Sequence, residues 1–444
     1  MNNTTKNTTN FIKKTNTNGV KKKETFRILA KNRYQSNNTL RTKINNNDII
    51  VGPSGAGKTR GYVLPNILQA NESMVVADTK GNLARKLAPF LEKKGYRIRV
   101  MDFKDLSKSI GFNPLDNIRY NPATGRYSGQ DIIKLVRCLS PSLDVREPFW
   151  DEQGRTVLAA MIGYVLENCR PEDRNLVTVQ KLFSVWDKDN VLRMFAEVER
   201  KDPESFALSK FNMIKNNFEA EKMHCSIMAF TAQALDIFTL NEAKKLVTNK
   251  DKVNFRDLGN KKTALFLNIS DTDRSMDKLV NIVYTQALQI LCDEAEKHPD
   301  CRLPVPVRFI LDDFATNAKV PDFDKIISVI RSRDIYVSII LQSITQLDAL
   351  YGDANAKTII NNCDTMLYLG GQDMSTVKLI AEKANVLPNT ILNMNISDAY
   401  LFIRGKKPEL TERFDVSFHP EYAKAKAFYN PKQAPDPGTV YNAS

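Results

Sequence analysis

The segment Gly52-Pro53-Ser54-Gly55-Ala56-Gly57-Lys58-Thr59 limits what this chain can fold into more than any other. It fits GxxxxGK[ST]. Its flanks are those the pattern requires: the apolar run Asp48-Ile49-Ile50-Val51 before it and a helical stretch from Lys58 after it. Glycines let the backbone curl so that several N–H groups point inward at phosphate oxygens. The helix that follows turns its positive N-terminal end on the same anion. Lys58 can bridge terminal phosphates, and the Thr59 hydroxyl can ligate Mg²⁺. The ligand expected here is ATP with Mg²⁺.

A phosphate loop needs a carboxylate at the end of a buried strand. Arg308-Phe309-Ile310-Leu311-Asp312-Asp313-Phe314 supplies one. Asp312 is expected to hold Mg²⁺, directly or through water, and Asp313 to polarise the attacking water as general base. Many ring ATPases place Glu at the second position; Asp is one methylene shorter, so the metal role of Asp312 is the firmer of the two. Asp78 and Asp102 also end strands and read as structural or as rim residues of the cleft. Residues 326–333 read as a helix ending in Arg331-Ser332-Arg333, and the next strand, 336–341, ends at Gln342. Were that strand beside the one carrying Asp312, Gln342 would reach both the terminal phosphate and the attacking water. Arg331 and Arg333 read equally well as a solvated helix end favoured by the helix dipole or as a group reaching a neighbouring subunit's nucleotide.

The texture around these motifs gives the architecture. Apolar strands are expected at 48–51, 73–77 and 97–101, with helical spacing between them, which reads as a parallel sheet with crossover helices. Over 130–250 the apolar period changes to three and four, and strand signals are few. Strands resume at 264–267, 307–311, 336–341, 366–369 and 399–403. The fold class is therefore α/β, a nucleotide-binding domain with a largely parallel sheet, built from residues 48–128 and 251–415. An all-α insertion occupies 129–250. Residues 1–47 form a basic, Asn/Lys-rich, flexible leader with 12 Asn, in which Phe26, Ile28, Leu29 and Tyr34 could dock; 416–444 form a C-terminal tail.

Charge and composition exclude several classes. The formal charge is +13, yet residues 1–48 hold 11 Lys and Arg against 2 Asp and Glu, a surplus of +9, which leaves +4 for the remaining 396 residues. The body is near neutral and the leader, with Lys21-Lys22-Lys23, is basic. No run of eighteen apolar residues exists and the N-terminus has no apolar signal core, so neither a transmembrane helix nor a secretory signal is expected. The 6 cysteines are scattered without a CxxC pair, and read as reduced thiols in a cytoplasmic protein. The 3 histidines are far apart, and no spacing suits a transition metal.

Together these segments resemble the type IV secretion coupling proteins of bacterial conjugation (TraG/TraD-like ATPases). The likeness is carried by the phosphate loop with the strand ending Asp78-Thr79-Lys80-Gly81, Phe112-Asn113-Pro114-Leu115, and Phe149-Trp150. It continues through Phe309–Phe314, Arg331–Arg333, and Gln342-Ser343-Ile344-Thr345-Gln346-Leu347 with Tyr351-Gly352. It spans roughly 48–405. The resemblance implies a RecA-like domain with an inserted all-α domain, assembled as a ring, expected to be a hexamer. It implies that Arg331 acts in trans as an arginine finger and Gln342 as a γ-phosphate sensor. It implies, as partners, DNA (expected single-stranded, with its relaxase) and type IV secretion channel proteins. The all-α domain would face the cytoplasm; Arg155, Arg174, Lys181 and Lys188 are too scattered there to name a DNA contact. Family members usually begin with a membrane anchor, absent here, so membrane association is expected through another protein or through the basic leader, whose salt-sensitive contact would be with anionic lipid or DNA. Two alternatives stand beside the conjugative DNA translocase: a chromosome-segregation type translocase, and a substrate-docking adaptor in which nucleotide binding is regulatory.

Overall fold

The computed structural model describes residues 24–141, 148–314 and 319–429. Thirteen strands occur among them: β1 (Phe26–Ala30), β2 (Arg33–Ser36), β3 (Asp48–Val51), β4 (Ser73–Asp78), β5 (Arg97–Asp102), β6 (Tyr120–Asn121), β7 (Arg126–Tyr127), β8 (Thr263–Asn268), β9 (Val307–Leu311), β10 (Ile335–Leu341), β11 (Thr365–Tyr368), β12 (Asp398–Ile403) and β13 (Glu409–Glu412). Nine form one sheet in the order β13-β12-β11-β3-β10-β9-β4-β8-β5. The run from β11 to β5 is parallel, and β12 and β13 close one edge antiparallel. The central strands are apolar on both faces because helices cover both. Ile49, Val51, Val75 and Leu265 face one helical layer; Ile50, Val76, Phe266 and Ile340 face the other. This is the α/β, RecA-like arrangement expected.

The first layer is continuous with the helical stretch between β7 and β8. It begins at Gly129–Leu139 and contains the long helix Pro148–Asn168 and the helices Phe206–Ile214 and Glu221–Leu235. No strand interrupts it among the described residues. The opposite face is covered by the turn after the phosphate loop, Thr59–Val63 and Leu64–Leu68, and by the helix Leu83–Lys93.

Two segments depart from the expected boundaries. From Thr25 the leader is folded: β1 and β2 pair antiparallel, and Ile28 and Leu29 are buried, while Phe26 and Tyr34 stay exposed. A composition reading averages over the polar first half and misses Arg27. That guanidinium is buried and donates to Asp48 Oδ1 at 3.1 Å and to Asn46 Oδ1 at 2.6 Å, which ties the hairpin to the strand before the phosphate loop. Lys21–Lys23 lie outside the described residues. At the other end, residues 416–429 pack on the sheet instead of leaving it: Val416 and Ala425 join the core, and Lys93 sits 3.6 Å from the centre of the Phe428 ring. The rest of the expected tail also lies outside the described residues.

Candidate nucleotide site

The loop between β3 and Thr59 is built as its glycines dictate. Gly55 and Gly57 both hold φ near +79°, where side chains are strained, and the Ala56 N–H donates to Pro53 O at 3.1 Å. Gly52 is required for another reason: a Cβ there would lie 2.9 Å from Leu369 Cβ at the end of β11. The loop then enters a π-turn, Thr59–Val63.

Strand order brings the remaining groups to this loop. β10 lies between β3 and β9 and all three are parallel, so their C-terminal ends lie on one side, where Gln342 lines the same cavity as Lys58 and Asp312. A cavity of about 280 Å³ results, lined by the loop from Ser54 to Arg60 together with Asp78, Lys80, Asp312, Asp313 and Gln342. Lys58 Nζ donates to Gly52 O at 2.7 Å and Pro53 O at 3.1 Å. Burial lowers its pKa, and the carboxylates of Asp313 and Asp312 oppose that shift. Thr59 Oγ1 donates to Asp312 Oδ2 at 3.0 Å. Burial, and then the neighbouring charge of Asp313, push Asp312 up to about 6. Asp313 sits at φ 51°, a left-handed conformation directly behind the strand. Gln342 is exposed in the cavity, and its backbone N–H is held by Gln346 Oε1 at 3.0 Å.

The donor set fits Mg²⁺. A hydroxyl and a carboxylate meet at one point, both hard oxygen ligands, and a buried carboxylate that resists ionisation is one a dication would relieve. The left-handed glycines leave room for backbone N–H groups to face a phosphate chain.

Arg331 stands elsewhere. It lies in the turn Ile330–Arg333 that precedes β10, so the whole 7-residue strand separates it from Gln342. At about 3.3 Å per residue that is roughly 23 Å, beyond reach of the same subunit's phosphates. Arg333, beside it, is engaged by Glu296 at 2.5 Å. Of the basic residues in the helical layer, Arg155 pairs with Glu152, Arg174 donates to Cys169 O, and Lys188 pairs with Glu219. Asp78 accepts from Leu83 N at 2.6 Å at the start of its helix while lining the cavity, and Asp102 accepts from Asn268 Nδ2 at 3.0 Å.

Two supports escaped the sequence reading. Arg413, just past β13, donates to Ala56 O at 2.8 Å, Leu369 O at 2.5 Å and Asp398 O at 3.0 Å, so the antiparallel edge grips the phosphate loop. Nothing local marks this arginine. Beneath the loop, Arg308 is buried against Asp48 and Glu72, and Tyr62 donates to Asp48 Oδ2 at 2.6 Å. Here a signal did exist, a charged residue inside an apolar strand.

The model of the family described as "Type IV secretory system Conjugative DNA transfer" matches residues 3–412. The chain belongs to this family. Protein VirD4 of Rhizobium radiobacter is 22% identical over 359 residues, which cover 80% of this chain and 50% of the relative. Conjugal transfer protein TraG of Escherichia coli is 22% identical over 327 residues, 70% of this chain and 50% of TraG. The chain thus spans about half the length of these curated relatives. Among solved structures, the bacterial conjugative coupling protein TrwBΔN70 aligns with a TM-score of 0.61 at 16% identity, covering 83% of this chain and 85% of that one. TrwB in complex with ADP and Mg²⁺ aligns equally well, at 17% identity, 83% and 85% coverage and a TM-score of 0.61. The family's fold is the one described above.

Proposed function

We propose that this chain is an ATP-hydrolysing DNA translocase, the coupling protein that delivers relaxase-bound DNA to a type IV secretion channel. The observation that carries the proposal is the meeting of Lys58, Thr59, Asp312, Asp313 and Gln342 in one cavity of a chain from this family. TrwB, a member of similar fold, has been captured with an ATP analogue and with ADP and Mg²⁺.

The roles follow from position. The loop amides and Lys58 bind the phosphate chain, Lys58 leaving the carbonyls of Gly52 and Pro53 to do so. Thr59 and Asp312 would hold Mg²⁺, which when bound neutralises charge on the phosphates. Asp313 accepts the proton of the attacking water, and Gln342 orients that water and senses the terminal phosphate. Hydrolysis would then be reported along β10, whose far end carries Arg331. Its distance from its own cavity supports a role on the neighbouring subunit's nucleotide, within a ring expected to be a hexamer. No helix among the described residues is long and apolar enough to cross a membrane. The basic leader with Lys21–Lys23 is proposed to make a salt-sensitive contact with anionic lipid at the cytoplasmic membrane face.

Translocation is tested by ATP-driven displacement of streptavidin from end-biotinylated single-stranded DNA. Displacement by the wild type and none by Lys58→Ala supports the motor. Nucleotide binding without displacement on either strand polarity would favour the adaptor.

A further inference from the structure

A second cavity of about 450 Å³ adjoins the nucleotide cavity, and the two share Thr59, Arg60, Lys80, Asn82 and Leu83. Asp312, Asp313 and Gln342 line the first and not the second. A phosphate loop fixes the polarity of its ligand, because its lysine serves the β- and γ-phosphates while the backbone cradles α and β. The two acids and Gln342 therefore mark the terminal-phosphate end. The second cavity extends from the other end, where ribose and base emerge.

Its walls combine apolar and aromatic side chains with four cations, Arg60, Lys80, Lys86 and Lys426. Leu64 and Leu68 come from the helix that the phosphate loop begins, and Leu83 and Leu87 from the helix after β4. Tyr422 and Tyr429 bracket the C-terminal helix Tyr422–Phe428 on the remaining side. That helix is anchored to the rest of the fold: Ala425 is buried, and Lys94 pairs with Glu421 at 3.1 Å. The volume lies within the range of about 300–1,000 Å³ common for small-molecule sites.

We propose that this groove receives the purine base of the nucleotide, with Tyr422 and Tyr429 as its stacking residues. The proposal rests on the reading that the phosphate loop binds nucleotide. It gives the C-terminal segment a task in ligand binding: closing the base end of the site.

Binding of ADP and of pyrophosphate, each with Mg²⁺, to the full chain tests it by calorimetry. The Tyr422→Ala/Tyr429→Ala variant should lose roughly tenfold or more in ADP affinity, the scale of base–aromatic stacking, with pyrophosphate affinity unchanged. Because Tyr422 also packs on the sheet, Leu64→Trp provides a second variant that fills the groove from the opposite wall and leaves the C-terminal helix intact. The same selective loss is expected there. ADP affinity unchanged in both variants, or an equal loss for both ligands, would overturn the base assignment. Lys58→Ala should lose both ligands; if it binds ADP as the wild type does, the nucleotide reading itself fails, whatever the tyrosine variants show.

Discussion

Thr59 Oγ1 donates to Asp312 Oδ2 across 3.0 Å, although 253 positions separate the two residues. One belongs to the phosphate loop after β3 and the other to the end of β9, with β10 between them. The contact brings together a hydroxyl and a carboxylate, the two hard oxygen donors proposed to hold Mg²⁺.

Replacing Asp312 with Asn keeps an acceptor for Thr59 and removes the charge. Because the carboxylate is buried, the substitution should leave the fold intact and stabilise the free protein slightly near neutral pH. Mg²⁺-dependent ATP hydrolysis should fall on the order of a hundredfold or more, as expected when a metal loses its anionic ligand. Steady-state turnover beside a thermal melt measures both. Turnover within a few-fold of wild type would remove Asp312 from the metal site.

Arg413 holds three carbonyls with one planar fork, a geometry that lysine cannot reproduce. Arg413→Lys should loosen the phosphate loop at Ala56 and weaken ADP binding about tenfold, roughly the loss of one charged hydrogen bond. Titration with ADP and Mg²⁺ checks it. Unchanged affinity would show that the loop holds its shape without the edge strand.

The ionic cluster under the loop behaves differently. Arg308 and Arg27 neutralise Asp48 and Glu72 in the interior, so removing Arg308 strands a buried negative charge. Arg308→Met should destabilise the chain by about 3–5 kcal/mol in denaturant unfolding. Pairing it with Asp48→Asn should recover part of that loss, since the two side chains are in contact.

The sequence carried the sheet well because its central strands are buried on both faces and read as uninterrupted apolar runs, as 335–341 does. The phosphate loop, Asp312 and Gln342 were legible for a related reason: each sits where a strand ends, and a strand end is visible in sequence. Arg413 was not, since its partners are backbone carbonyls 15 to 357 positions away that carry no side-chain signature. The hairpin β1–β2 was hidden by its polar neighbours, although Arg27 fastens it to the core. For Arg331 the residues alone left a solvated helix end and a trans-acting group equally open; its place at the far end of β10 is a matter of strand direction.

His419 gives a pH dependence. Burial lowers its pKa below 6.5, with Glu421 opposing and Lys94 adding to the shift, and its Nδ1 accepts the Glu421 N–H at 3.2 Å as the C-terminal helix begins. A base with a depressed folded pKa contributes stability that is present above its unfolded value of 6.5 and lost as pH falls through the folded value. The midpoint of thermal unfolding should therefore drop below pH 6.5, and His419→Gln should flatten part of that drop. An identical pH profile in the variant would exclude His419 as a source.

Steady-state ATP hydrolysis by the full chain, with and without single-stranded DNA, separates a DNA motor from a nucleotide-binding adaptor. A motor gives Mg²⁺-dependent turnover that rises with DNA in the wild type and disappears in Lys58→Ala. Turnover indifferent to DNA, or undiminished in Lys58→Ala, would contradict the motor.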